Sequence, residues 1–189
     1  MNSDRKLFIP VILGTTRQNR QSEHVARWVF SQLAERAVVE TVLLDIREFN
    51  FPFVGESDDI KDPVFSATME RSDALVIVAP EYNHGYSGSL KHALDTCLKE
   101  YIHKAVGICG VSAGPFGGTR VIENLLPVMR ELGLVTIFWD LNFGNVASLF
   151  DAEGNLLDKA YERRADKFIK ELIWMATVLR DGRENLPVE

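Results

Sequence analysis

The stretch between residues 74 and 98 constrains the fold of this chain more than any other. Residues 74–79 form an uninterrupted apolar run, which is typical of a strand buried on both faces of a parallel sheet. A turn with two glycines follows the run. Apolar residues then recur at helical spacing, at Leu90, Ala93, Leu94 and Leu98. A buried strand that leads through a loop into an amphipathic helix predicts a sheet covered by helices.

The same alternation recurs along the chain. Apolar runs predict four further strands: 6–13, 38–44, 105–111 and 134–139. Helical periodicity predicts five helices: 22–36, 64–69, 87–101, 119–132 and 158–179. This alternation predicts an α/β fold, a doubly wound, five-stranded parallel sheet in a three-layer α/β/α arrangement. We expect residues 1–189 to form a single domain, with 181–189 as a loose tail.

Several local signals bear on the ends of these elements. Pro10 removes a hydrogen-bond donor from the first strand, and Pro127 is expected to kink or shorten the fourth helix. Ser22 and Gly133 are candidates for a helix N-cap and a helix C-cap. Two stretches lack periodicity and are expected to be irregular: 46–62 and 140–157.

The composition disfavours several classes of function. The 189 residues are 46% hydrophobic and 25% charged, which is typical of a globular domain. A net charge of -6 disfavours binding to nucleic acid or to anionic membranes, because both need clustered cations. The apolar run 7–13 is too short to span a bilayer or to act as a secretory signal. Cys97 and Cys109 lack metal-binding or redox spacing, so we expect buried, reduced thiols, no metal site and a cytoplasmic protein.

Three loops follow the carboxyl ends of predicted strands, at 14–22, 80–88 and 112–118. Each is rich in glycine, hydroxyl or amide residues. In a doubly wound sheet, the ligand site lies at the carboxyl ends of the strands, close to the point where strand order reverses. We therefore expect the three loops to converge on one site.

The first loop has the features of an anion site. Thr15 and Ser22 offer hydroxyl groups, Arg17 and Arg20 offer positive charge, and the amino end of the next helix favours an anion. Gly14 is its only glycine, so the loop is neither a P-loop nor a dinucleotide-binding fingerprint. A phosphate monoester fits this loop. The alternative is a solvated turn before a capped helix.

The second and third loops suit a planar ring. Glu81, Tyr82 and Asn83 offer polar groups and an aromatic face, and the adjacent glycines in 112–118 allow close approach from the other side. The alternatives are aromatic packing at the sheet edge and an ordinary turn between strand and helix. A phosphate at one end and a planar heterocycle at the other match the shape of flavin mononucleotide (FMN).

His84 and Ser89 are two further candidates for a chemical role in or near the second loop. His84 is interpreted as a turn or pocket residue, because no serine or cysteine nucleophile with a charged partner is identifiable around it. Ser89 precedes the apolar face of a helix and is interpreted as a cap. No catalytic side chain is therefore nominated.

The chain resembles the NADPH-dependent FMN reductase family of flavodoxin-like proteins, which includes quinone, azo-dye and chromate reductases. The resemblance covers residues 6–180 and rests on two motifs. These are Gly14-Thr-Thr-Arg17 through Ser22, and Pro80-Glu-Tyr-Asn-His-Gly-Tyr-Ser-Gly-Ser-Leu-Lys-His-Ala-Leu-Asp95. The resemblance implies strand order 2-1-3-4-5, FMN at the strand ends, NADPH or NADH as co-substrate, and a homodimer or homotetramer.

The resemblance also implies which residues bind the cofactor. The matched positions are Thr15, Arg17 and Ser22 for the phosphate, Pro80, Glu81, Tyr82 and Asn83 for the isoalloxazine ring, and Ser112 and Gly114 for the third loop.

The activity implied is transfer of a hydride from NAD(P)H to bound FMN, and of electrons onward to a flavin, quinone, azo or metal-oxyanion acceptor. Two alternatives stay open: a flavodoxin-like electron carrier without its own NAD(P)H turnover, and an FMN-binding regulatory domain. The absence of a Thr-x-Thr-Gly-x-Thr phosphate loop counts against the carrier. Candidates for an apolar oligomer surface are Phe51, Phe53, Phe138, Trp139 and Phe143.

Overall fold

The computed structural model describes residues 5–52 and 60–186, so Phe53 and part of the stretch 46–62 lie outside the described residues. Within these ranges the chain forms eight strand segments: β1 (Leu7–Phe8), β2 (Val11–Leu13), β3 (Val39–Glu40), β4 (Leu43–Asp45), β5 (Ala74–Pro80), β6 (Ala105–Val111), β7 (Val135–Thr136) and β8 (Leu141–Phe143). The same ranges contain five α-helices: α1 (Ser22–Ala34), α2 (Pro63–Arg71), α3 (Gly88–Asp95), α4 (Thr119–Glu131) and α5 (Ala160–Asn185).

The strand segments form a parallel sheet that confirms the predicted fold class. β2 pairs with β4 on one side and with β5 on the other, β5 pairs with β6, and β6 pairs with β7 and β8. β1 pairs with β3 in the same sense. β1 and β2 are the two halves of one predicted strand, and so are β3 and β4. β7 and β8 both pair with β6 and together form the fifth strand of the sheet, although β8 lies beyond the predicted bounds 134–139. Counted in this way, the strands stand in the order 2-1-3-4-5.

The first predicted strand is split at Pro10, which lies between β1 and β2. Backbone hydrogen bonds nevertheless continue past the proline: the Ile9 amide donates to the Glu40 carbonyl at 2.9 Å, and the Val76 amide donates to the Pro10 carbonyl at 3.0 Å. The sheet therefore passes through this position and lacks only the donor that proline cannot supply.

The predicted bounds of the fifth strand, 134–139, are wrong. Pairing stops after β7 because the amides of Phe138 and Trp139 donate to the Glu171 carboxylate on α5, at 3.0 and 3.2 Å. Pairing with β6 resumes at β8, inside the stretch 140–157 that was expected to be irregular. A carboxylate from a distant helix thus replaces part of the ladder.

The ends of α3 also differ from the prediction. Ser87 is the N-cap, since its hydroxyl oxygen accepts from the Leu90 amide at 3.1 Å, and the expected cap at Ser89 is therefore wrong. The helix ends at Asp95 and does not reach 101. The Thr96 hydroxyl donates to the Ala93 carbonyl at 2.8 Å, so it satisfies one of the last carbonyls of the helix.

The last two helices continue through positions where the sequence predicts a kink or an end. Pro127 lies inside α4 without shortening it, because it is exposed and water can reach the carbonyl that it leaves without a donor. Gly133, with φ 74°, follows α4 as the expected C-terminal glycine. α5 continues to Asn185, so residues 181–185 of the expected loose tail are helical, and 187–189 lie outside the described residues. In the ranges described, α5 and the other helices all lack the length or the apolar character needed to cross a membrane.

The helices cover both faces of the sheet. Along β5 the side chains alternate: Val76 and Val78 pack in a cluster with α1 and α5, and Leu75 and Ile77 pack in a cluster with α2, α3 and α4. All four are fully buried, and each such burial stabilises the fold by about 1.5–3 kcal/mol. This two-sided core confirms the three-layer arrangement and leaves the carboxyl edge of the sheet open for a site.

Candidate functional site

The carboxyl ends of β2, β5 and β6 lie side by side, with Leu13 in register with Val78 and Val78 in register with Cys109. Two adjoining cavities, of about 420 and 630 Å³, open above this edge. The smaller is lined by residues from all three predicted loops, and the larger by residues from the first two. Of the nine matched positions, those that line at least one cavity are Thr15, Arg17, Ser22, Pro80, Glu81, Tyr82, Asn83 and Ser112. The structure does not place Gly114 there.

A hydrogen bond joins the first loop to the second. The hydroxyls of Thr15 and Tyr82 lie 2.9 Å apart, and the Arg17 amide donates to the Thr15 hydroxyl oxygen at 3.3 Å. The Arg17 guanidinium stands over the Tyr82 ring, 5.5 Å from its centroid. Thr15 is buried and Arg17 is exposed. The buried threonine therefore fixes the loop, while the arginine presents its charge at both cavities.

Gly14 allows the first loop to approach the second so closely. Its amide donates to the Val78 carbonyl at 2.9 Å, and its carbonyl accepts from the Ser87 hydroxyl at 2.7 Å. A Cβ at this position would lie 2.9 Å from a methyl group of Leu90 and 3.0 Å from the Val78 carbonyl oxygen. Any larger residue would push the loop away from the sheet edge.

Ser22 begins α1 but is not its N-cap, which is Gln21 with no side-chain capping bond. The Glu23 and His24 amides instead donate to the Arg20 and Gln21 carbonyls, both at 3.2 Å. The Ser22 hydroxyl is buried and has no hydrogen-bond partner among the described residues. An unsatisfied buried hydroxyl is rare and calls for a partner. At the positive end of a helix, an anionic oxygen is the partner that fits.

The second loop is a tight turn. Tyr82 and Gly85 exchange backbone hydrogen bonds at 2.9 and 3.0 Å, with Asn83 and His84 at the tip in left-handed conformations, φ 50° and 67°. Asparagine and histidine tolerate this region better than most residues. His84 is thus a turn residue, in agreement with the sequence interpretation.

Glu81 brings a nearly buried carboxylate to both cavities. Its side chain is 10% exposed, and its Oε1 pairs with Arg120 at 3.3 Å. Its Oε2 is buried and has no partner among the described residues. A ligand with an N–H or O–H group at its edge could donate to this oxygen, as a flavin ring can.

The third loop is bonded to the segment that follows β8. The Ser112 hydroxyl donates to the Gly114 carbonyl at 2.8 Å, and the Asn145 amide donates to the same carbonyl at 2.9 Å. These contacts turn Gly114 toward the segment after β8. Gly114 is exposed and lines neither cavity, so its role in cofactor binding stays a prediction.

Arg20 behaves differently from the expectation that it offers charge to an anion. Its side chain is 2% exposed, and its guanidinium pairs with Asp45 at the end of β4. Burial alone would raise the pKa of Asp45, but hydrogen bonds from Arg20 and Arg47 hold that pKa below its ordinary value. No local sequence signal separates Arg20 from Arg17.

Neither cysteine belongs to this site. Cys97 and Cys109 are both free and buried, as expected, and burial raises the pKa of both thiols. In residues 5–52 and 60–186 we find no group of three histidine, cysteine or acidic side chains placed to hold a metal ion.

Comparison with known proteins gives consistent findings. The family model of the NADPH-dependent FMN reductases matches residues 8–147. A quinone reductase of Pseudomonas putida is 28% identical, over 80% of this chain and 85% of the relative. An FMN-dependent NADPH-azoreductase of Staphylococcus haemolyticus is 27% identical, over 86% of this chain and 92% of the relative.

Among solved structures, a flavoenzyme NAD(P)H:(acceptor) oxidoreductase from Paracoccus denitrificans superposes with a TM-score of 0.77 at 22% identity. The superposition covers 91% of this chain and 98% of that one, and it shows a shared fold. The family model spans well over half of this chain and both cofactor motifs. The chain therefore belongs to the NADPH-dependent FMN reductase family.

Proposed function

We propose that this protein is an FMN-dependent NAD(P)H oxidoreductase with small-molecule acceptors: quinones, azo compounds, free flavins or metal oxyanions. Family membership supports the cofactor and the electron donor. The relatives named quinone reductase and azoreductase support the acceptor classes. The observation in the molecule that carries the proposal is the buried, unpartnered Ser22 hydroxyl at the start of α1, in the same cavity as Pro80, Glu81 and Tyr82.

The residues present fit an FMN molecule. Arg17, Ser22 and the amino end of α1 would hold the phosphate, with Thr15 fixing the loop that carries them. Pro80–Asn83 would line the ring, and Ser112 would approach from the third loop. When bound, FMN supplies the redox chemistry, since it takes a hydride from NAD(P)H and returns electrons to the acceptor.

The chain's own residues act by binding and orientation. The exposed guanidinium of Arg17 offers charge-assisted hydrogen bonds to phosphate oxygens. Backbone amides at the sheet edge favour negative charge on a ring beside them, as preorganised donors do generally. We nominate no side chain as a general acid or base.

Two measurements test this function. Purified protein should show flavin absorbance bands that bleach when NADPH is added under nitrogen. It should also oxidise NAD(P)H with a quinone or an azo dye and no partner reductase. A protein that binds FMN but does not turn over NAD(P)H alone would be an electron carrier or a regulatory domain, and a protein that takes up no FMN would refute the proposal.

Arg17→Ala tests the site itself. Loss of a charge-assisted bond of about 1.5–3 kcal/mol should weaken FMN binding about 10- to 100-fold while leaving the fold intact. Arg27→Ala is the matched control, because Arg27 lies on the exposed surface of α1 and pairs with Glu23. Equal FMN affinity in Arg17→Ala and Arg27→Ala, measured by quenching of flavin fluorescence, would remove Arg17 from the site.

We propose also that the whole chain acts as one FMN-binding domain, in the cytoplasm, as a homodimer or homotetramer. The exposed pair Phe138 and Trp139, 78% and 45% accessible, supports self-association. Phe143 does not contribute, since it is buried and stacks on Tyr161 at 4.7 Å. Phe51 is half-buried and packs against Phe65. Sizing chromatography at the mass of a monomer would count against the oligomer.

A further inference from the structure

The side chain of Arg20 connects the first loop to the neighbouring strand. One terminal nitrogen donates to the Thr15 carbonyl at 2.5 Å, and the other pairs with the Asp45 carboxylate. Asp45 is the last residue of β4, and its side chain is 13% exposed. Arg20 is therefore held at two points by groups on two different strand ends.

These contacts continue across the site. The Thr15 residue that receives Arg20 at its carbonyl also bonds to the Tyr82 hydroxyl, 2.9 Å away. A continuous path, Asp45–Arg20–Thr15–Tyr82, thus joins the carboxyl ends of β4, β2 and β5. Arg17 and Ser22, on either side of Arg20 in the sequence, are carried by the loop that this path fixes.

We propose that Arg20 is a positioning residue for the cofactor phosphate: anchored on Asp45, it holds the Thr15 carbonyl so that Arg17 and Ser22 face the phosphate. This inference rests on the proposed function. We assign Arg20 no direct contact with the phosphate, because its side chain is 2% exposed and each terminal nitrogen already bonds to a protein acceptor. Turning it outward would leave the nearly buried Asp45 carboxylate without its closest partner, which is a costly change.

Two buried polar atoms without a partner agree with a positioning role for Arg20 and a phosphate-binding role for Ser22. Arg20 Nε and Ser22 Oγ are both buried without a partner among the described residues. Rotation about one side-chain bond can swing the serine hydroxyl toward the cavity that Ser22 lines. The arginine Nε cannot turn in this way, because the guanidinium is fixed on both sides.

The test compares FMN with riboflavin, which lacks the phosphate, on FMN-depleted protein by fluorescence quenching. Arg20→Lys keeps the charge but cannot bridge both acceptors, so FMN affinity should fall about tenfold while riboflavin affinity stays unchanged. Asp45→Asn keeps Arg20 but weakens its anchor, and should lower the FMN-to-riboflavin affinity ratio in the same direction. Arg27→Lys, on the surface of α1, should behave as wild type. Circular dichroism and thermal melts establish that each variant is folded.

Three outcomes would overturn the inference. A wild-type affinity ratio in Arg20→Lys would mean that only charge matters, or that Arg20 has no role. FMN binding as tight as wild type, or tighter, in Asp45→Asn would make Arg20 a direct phosphate ligand that Asp45 restrains. Equal loss for FMN and riboflavin would indicate general damage to the site. If wild-type protein binds neither flavin, the proposed function fails first and the role of Arg20 falls with it.

Discussion

Asp73 is the residue whose replacement should destabilise the fold most clearly without touching the site. It immediately precedes β5, at the amino end of the sheet, and its side chain is 2% exposed. Its two oxygens accept from the two terminal nitrogens of Arg5, each at 2.9 Å. The Phe8 amide donates to it at 2.9 Å, and Arg183 on α5 approaches to 3.4 Å. One carboxylate therefore joins the first strand, the third strand and the last helix.

The magnitude follows from what Asp73→Ala would leave behind. Removing one partner of a buried ion pair costs about 3–5 kcal/mol, and an orphaned buried amide such as that of Phe8 costs about 1–3 kcal/mol. The Arg5 side chain is 49% exposed and can return to water, which lowers the total. We expect a loss of about 3 kcal/mol for Asp73→Ala. We expect about half of that for Asp73→Asn, which keeps an acceptor for the Phe8 amide.

Urea denaturation followed by circular dichroism measures this loss as a lower midpoint at an unchanged slope. Asp166→Ala is the control, because Asp166 forms its pairs with Arg36 and Lys170 on the surface and should change stability little. FMN affinity should be unchanged in both variants, since the site lies at the opposite edge of the sheet. A midpoint for Asp73→Ala equal to that of Asp166→Ala would refute the reasoning.

Two further predictions concern stability. Gly110→Ala should destabilise the protein by about 1–3 kcal/mol in urea, because its Cβ would lie 2.7 Å from two backbone carbonyl oxygens of the third loop. Gly182 lies in α5 with open space around it, so Gly182→Ala should instead stabilise the protein by about 0.5–1 kcal/mol. If both variants changed the free energy of unfolding in the same direction, this reasoning would be contradicted. Burial lowers the pKa of Lys104 from 10.5 to about 8 in the folded protein. Between pH 8 and 10.5 the unfolded chain therefore binds more protons at Lys104 than the folded protein does, and the free energy of unfolding should rise with pH. Melts across that range should show a smaller rise in Lys104→Met, and an identical pH profile would exclude Lys104 as its source.

The sequence predicted the sheet well because its strands are buried on both faces. Such strands are continuous apolar runs, and the predicted bounds 105–111 match those of β6. The failures lie where a side chain distant in sequence decides the backbone. Glu171 takes the amides of Phe138 and Trp139 and so interrupts the fifth strand, which no property of 134–139 could reveal. The backbone bond from the Asn145 amide to the Gly114 carbonyl likewise joins segments far apart in the chain, and the sequence of the third loop does not indicate it.

The two arginines of the first loop differ in a way that strand order, added to local sequence, can predict. Arg17 and Arg20 are equivalent in local sequence, yet one is exposed and the other buried. What separates them is Asp45, which the register places opposite Leu13, next to the start of the loop. Strand order 2-1-3-4-5 already requires the second strand to lie beside the first, so an acidic residue at its carboxyl end must meet the loop. Arg47 also pairs with Asp45 but is 39% exposed, so Arg20 is the buried cation that this nearly buried carboxylate takes up, and Arg17 is left for a ligand.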